Sequence, residues 1–129
     1  MSNTQALAEY LAGHQKVRWV NFPGLPTNPS HETARGQFAG KGYGALLTLG
    51  LAGQEACFKF IDNVKLAYHL ANLGDSKTLV IHPYSSQYIS FTEEKRDELS
   101  IPAEMIRVSV GIEHPDDIIA DFEQALDIL

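Results

Sequence analysis

Apolar and polar positions alternate along residues 105–112. Ile106, Val108, Val110 and Ile112 fall on one side and Met105, Arg107, Ser109 and Gly111 on the other, the period-two pattern of a half-buried strand. The period then changes. Ile118, Ile119, Phe122, Ala125, Leu126 and Leu129 lie on one stripe of a helix. Burying that stripe is worth on the order of 10 kcal/mol before entropy, as an upper bound. Pro115 suits the first turn, and Glu113, Asp116 and Asp117 complement the positive end of the helix dipole.

Upstream, Leu7, Tyr10 and Leu11 mark a helix over residues 4–14, with Ser2, Asn3 or Thr4 able to cap it. It begins almost at the first residue with no leader before it, as a small protein does, and as a piece of a longer chain does. Residues 16–22 read as a strand, and the prolines and glycines of 23–29 as an extended, turn-rich passage. A short helix over 30–38 ends in Gly40-Lys41-Gly42-Tyr43-Gly44. These glycines are not a phosphate loop, which follows a strand, opens a helix and carries Ser or Thr after its lysine. Here they precede an apolar stretch at 45–51, so they form a tight connection entering a strand.

Residues 54–63 predict a helix burying Cys57, Phe60 and Ile61, and 66–73 a buried strand or an irregular extended segment. Gly74 and Asp75 turn the chain, 78–82 make a short strand, and 84–91 are polar and aromatic without a period. Thr92-Glu93-Glu94-Lys95 is a capped helix start running to about 99. The sum is one domain over residues 1–129, an α+β fold with a small, mostly antiparallel sheet covered by helices. Several connections are too short for a parallel crossover.

Composition narrows the function classes. The net charge is −6 and there is no Lys/Arg run, which argues against nucleic acid or an anionic membrane as partner. No signal peptide and no bilayer-length apolar run is present, and the one cysteine, Cys57, sits among apolar neighbours. A cytoplasmic protein with a structural thiol is expected. The five histidines show no metal-ligand spacing, and there is no GxSxG elbow. Glu93-Glu94 is a helix-start cap rather than an acid/base dyad. What stands out is Arg107, a guanidinium on a strand beside two small residues, Ser109 and Gly111, that would let a ligand come close, able to grip a carboxylate through two parallel hydrogen bonds. The residues alone leave open an arginine at a solvated sheet edge or one paired with an acid of its own domain.

Four segments carry a resemblance. They are the run from Trp19 through Pro26, the run from Leu70 through Pro83, Ile106-Arg107-Val108-Ser109-Val110-Gly111-Ile112-Glu113, and Asp116-Asp117-Ile118-Ile119. In order, and over essentially the whole chain, they resemble the carboxy-terminal domain of the O-acetylhomoserine sulfhydrylases, in the pyridoxal-phosphate-dependent Cys/Met metabolism family. The fold implied is the C-terminal domain of aspartate-aminotransferase-like enzymes.

The resemblance implies roles residue by residue. The arginine of the R-x-S-x-G-x-E strand, here Arg107, pairs with the substrate α-carboxylate, and Asn72 stands beside that carboxylate. Lys77 stands where several cystathionine-cleaving relatives carry an acid, which favours the sulfhydrylase branch. From the residues alone, Asn72 also reads as a turn-stabilising amide and Lys77 as a solvated charge. After His82-Pro83 the family continues with a Ser-Thr-Thr-His type run near the active site; this chain has Tyr84-Ser85-Ser86-Gln87-Tyr88, with Ser85 matching the first Ser, and so implied on the substrate side with Arg107 and Asn72, and a Tyr in place of the usual His. Family members are several times longer, and their Schiff-base lysine and phosphate cradle lie in an amino-terminal domain. None of Lys16, Lys41, Lys59, Lys65, Lys77 and Lys95 has the family's Ser-x-Thr-Lys context. The implied whole is a homo-oligomer acting on an O-acetylhomoserine-type amino acid with pyridoxal phosphate. This chain would supply the substrate side, with no cofactor covalently bound to it and no catalysis alone. A non-catalytic small-molecule-binding or interaction module that kept the fold is the alternative.

Overall fold

The computed structural model describes all of residues 1–129. Five strands, β1 (Trp19–Asn21), β2 (Leu46–Gly50), β3 (Tyr68–His69), β4 (Leu79–Ile81) and β5 (Met105–Ser109), form one sheet. Their order is β1-β2-β5-β4-β3. The alternating strand at 105–109 takes the centre, antiparallel to β2 and β4, while β3 joins β4 in parallel. A mostly antiparallel sheet is therefore correct, with one parallel edge.

Pleating sorts the side chains. Leu47, Leu49, Val80, Ile106 and Val108 share one face and are buried in the core. Helices α1 (Ser2–Ala12), α3 (Gln54–Asn63) and α5 (Pro115–Asp127) supply the opposing layer through Leu7, Leu11, Phe60, Ile118, Phe122 and Leu126. Phe60 and Phe122 meet edge to face at 5.1 Å. The expectation of a sheet covered by helices holds for this face only. On the other face lie Asn21, Thr48, Arg107 and Ser109, approached only by loops. Helices α2 (His31–Phe38) and α4 (Glu93–Glu98) are short and sit within connections.

Several sequence expectations are corrected. The strand of 16–22 shortens to three residues, Trp19–Asn21, which pair with Gly50, Leu49 and Thr48 of β2. Residues 66–73 yield a two-residue, exposed strand. Ile112 does not continue the apolar side of β5. Its N–H bonds Ser76 O outside the strand, and its side chain is 82% exposed. Helix α1 begins at Ser2 without a side-chain cap. Asn3 instead donates to Gly111 O (3.1 Å) and Glu113 O (2.7 Å), tying α1 to the chain beyond β5. The glycine connection is as expected: Gly40, Gly42 and Gly44 all have positive φ, where a side chain would be strained.

One acid on the apolar side of α5 is structural. Asp121 is buried and accepts from the backbone N–H groups of Lys65 (2.7 Å), Leu66 (3.0 Å) and Ala67 (2.9 Å). It stitches the segment leading to β3 onto the helix. Asp121→Ala leaves those donors without a partner and is expected to cost about 2–4 kcal/mol, measured by urea unfolding.

Candidate functional site

The open face is organised by register. Asn21 pairs Thr48, Thr48 pairs Arg107 and Arg107 pairs Ile81, so these four form one row across four strands. Arg107 occupies the central strand, which excludes a sheet edge. Its guanidinium makes no hydrogen bond within the chain, and the three ion pairs, Arg35–Glu32, Lys95–Glu98 and His114–Asp116, lie elsewhere. That excludes pairing with an acid of its own domain. Two hollows meet at it. One, of about 250 Å³, is lined by Pro23, Leu46, Thr48 and Arg107 among others. The second, of about 330 Å³, has Arg107 beside Asn21 and Thr48 on the sheet and Pro83, Tyr88 and Ile101 among the residues facing them. A rigid, half-exposed cation with unused donors, set between apolar walls, can hold a small carboxylate.

The small residues beside Arg107 do not make room for a ligand, as the sequence suggested. They make room for the loop at 72–78. Ser109 Oγ accepts from Gly74 N (3.1 Å), and Thr78 Oγ1 accepts from Gly111 N (3.0 Å). A Cβ on Gly111 would stand 2.5 Å from Ser76 O and 2.6 Å from the carbonyl carbon of Lys77. Glu113, expected to complement the α5 dipole, instead accepts from Thr78 N (2.7 Å) and Thr78 Oγ1 (2.9 Å). The spacing of Ser109, Gly111 and Glu113 is thus a docking rail for one loop.

Asn72 rides on that loop. It is exposed, and its Oδ1 accepts from Leu73 N (2.9 Å). No contact joins it to Arg107, although its loop is fastened at Ser109, two positions along β5. Lys77 lies further out, with its ammonium 4.3 Å from the centre of the Tyr68 ring, at the β3 edge. Ser85 does not line either hollow. Its hydroxyl lies 2.7 Å from Nδ1 of His82.

His82 is the residue that sequence reasoning passed over. It is 2% exposed, and its Nε2 lies 2.7 Å from Ala103 O, a carbonyl that can only accept. Nε2 therefore carries the proton, and Nδ1 accepts from the Ser85 hydroxyl and from Ser85 N (3.3 Å). Burial holds its pKa below the ordinary 6.5. As pH falls, the unfolded chain takes up this proton first, so stability from neutral His82 is full above about 6.5 and is lost below it. The loss in melting temperature between pH 7.5 and pH 5.5 is expected to be smaller in His82→Gln than in the parent. Equal losses would contradict it.

Other chemistry finds no support. The Cys57 thiol is pushed up to about 12, chiefly by burial, and donates to Glu104 O (3.1 Å), so it is no nucleophile at neutral pH. No group of three potential metal ligands exists, and no helix is long and apolar enough to cross a membrane. All six lysines are exposed. Lys16 and Lys59 share the rim of a third hollow of about 420 Å³ beside α3, away from Arg107.

Residues 1–127 match the family described as Cys/Met metabolism PLP-dependent enzyme. The homocysteine synthase of Schizosaccharomyces pombe is 46% identical over 99% of the chain. The O-acetyl-L-homoserine sulfhydrylase 1 of Thermus thermophilus is 45% identical over 98% of it. The chain spans 30% of the length of each. Among solved structures, a putative O-acetylhomoserine (thiol)-lyase of Campylobacter jejuni containing N'-pyridoxyl-lysine-5'-monophosphate superposes with a TM-score of 0.92 at 34% identity, covering 98% of this chain and 30% of that one.

Proposed function

The chain belongs to the Cys/Met metabolism PLP-dependent enzymes, and on that premise we propose that it is the carboxy-terminal, substrate-side part of an O-acetylhomoserine sulfhydrylase. The observation that carries the reading is the unpaired guanidinium of Arg107, held on the central strand at the meeting of two hollows. In this reading Arg107 binds the α-carboxylate of an O-acetylhomoserine-type amino acid through its fork of N–H donors. Asn72, on the loop fastened to Ser109, closes over the same carboxylate when substrate is present. Ser85 contributes through His82, holding the wall beside Arg107. Lys77 marks the sulfhydrylase branch rather than contacting substrate.

Pyridoxal phosphate would supply the electron-sink chemistry of such an enzyme. The residues present here do not fit it. A Schiff-base lysine is made nucleophilic by desolvation or a neighbouring cation, and every lysine of this chain faces solvent. Its seat is assigned to an amino-terminal domain outside residues 1–129. The exposed side chains of Leu70, Leu73 and Ile112 are what such a partner would cover, within a cytoplasmic homo-oligomer. Borohydride reduction of the chain with pyridoxal phosphate, followed by peptide mapping, is expected to label no lysine selectively. Stoichiometric labelling of one of the six would overturn the assignment.

A further inference from the structure

Between β4 and β5 the chain leaves the sheet and returns, and residues 83–103 of this excursion wall the 330 Å³ hollow. Helix α4, within it, buries none of its residues. Ser100 is a non-glycine residue with φ of 56°. A segment with so little apolar burial has to be held by polar contacts. Two side chains, His82 and Arg96, make such contacts between separate parts of the excursion. At the neck, His82 joins the outgoing strand to Ser85 and to Ala103 O, so one imidazole closes both ends of the excursion. At the far end Arg96 of α4 reaches back across it. Arg96 Nε donates to Tyr88 O (2.9 Å) and Nη2 to Ile89 O (2.9 Å). Its guanidinium also lies 4.1 Å from the centre of the Tyr84 ring.

We infer that Arg96 is a positioning residue for the carboxylate site, setting the wall that Tyr88 and Gln87 present toward Arg107. The inference rests on the reading of Arg107 as the carboxylate's partner. Arg96 is not among the residues that line the hollow. Its three contacts instead decide where Tyr88 stands, and hence how much room remains beside the guanidinium. The ligand class that fits is an amino acid with a short aliphatic chain: its carboxylate on Arg107 and its methylenes against Ile101 and Met105. A lysine at position 96 would keep the charge over Tyr84 but lose the fork to two carbonyls.

Arg96→Met tests this in two ways. In this chain, amide hydrogen exchange at residues 84–101 is expected to rise about tenfold or more, with β2 and β5 unchanged. In the complete polypeptide, KM for the amino-acid substrate is expected to rise about tenfold while kcat stays within about twofold. Unchanged exchange, or a uniform rise over the whole chain, would overturn the inference. A fall in kcat with KM unmoved would do the same. Arg107→Ala, measured alongside, separates the two readings. If it leaves KM unchanged, the carboxylate assignment itself fails; if it raises KM and Arg96→Met does not, only the role of Arg96 falls.

Discussion

Arg107→Ala is expected to weaken amino-acid binding in the complete polypeptide at least about a hundredfold while moving the stability of the fold by less than about 0.5 kcal/mol. The two halves of this expectation have separate causes. Two charge-assisted hydrogen bonds to a carboxylate, each worth about 1.5–3 kcal/mol, account for the loss of binding. The unchanged stability follows from what Arg107 does not do. Its guanidinium has no partner in the chain, and its neighbours across the sheet, Thr48 and Ile81, keep their own backbone ladder. Arg107→Lys should recover only part of the binding, since a single ammonium cannot reproduce the fork. Thermal melting of the isolated chain and substrate titration of the complete enzyme check the pair. A stability loss above about 2 kcal/mol would show that the arginine serves the fold instead.

Removing residues 118–129 is expected to abolish folding altogether. Ile118, Phe122, Ala125 and Leu126 are all buried to within 1% exposure, with α5 against α1 and α3 and in one core cluster with the sheet's apolar residues. Truncating one large buried aliphatic costs about 2–5 kcal/mol, and a domain of this size is stable by only about 5–15 kcal/mol. The deletion also takes Asp121, the only partner of the Lys65, Leu66 and Ala67 N–H groups. Collapsed amide dispersion by NMR and no cooperative melt are the expected outcome. A soluble truncation with a sharp thermal transition would contradict it.

The elements that could be read from sequence are those whose cause is local. Helix α3 runs over Gln54–Asn63 as its apolar spacing predicts, and Thr92 caps α4 by accepting from Lys95 N. The side of β5 that carries Arg107 follows from period-two alternation alone, and so its place on the face opposite the core was legible. Its freedom from partners was not, because that depends on which acids the fold brings near. Ser109, Gly111 and Glu113 were misjudged for a related reason. Their partners, Gly74 and Thr78, lie 33 to 35 residues upstream, and nothing along the chain announces the pairing. His82 and Arg96 act through backbone carbonyls, which have no sequence signature. Asp121 did carry a signal: an acid three residues after Ile118 and next to Phe122 falls inside an apolar stripe, and a carboxylate there has to be satisfied by buried donors.

Both strands that flank β5 come from far earlier in the chain, and Asn3 closes onto Gly111 and Glu113 across 108 and 110 positions. During synthesis a nascent polypeptide that has emerged only through β4 holds none of the pairings that brace Arg107. The row of side chains around Arg107 therefore cannot assemble on the ribosome until β5 has cleared the exit tunnel. Until then β2 lacks its neighbour β5 and α1 lacks its neighbour α5, in the window when holdase chaperones act.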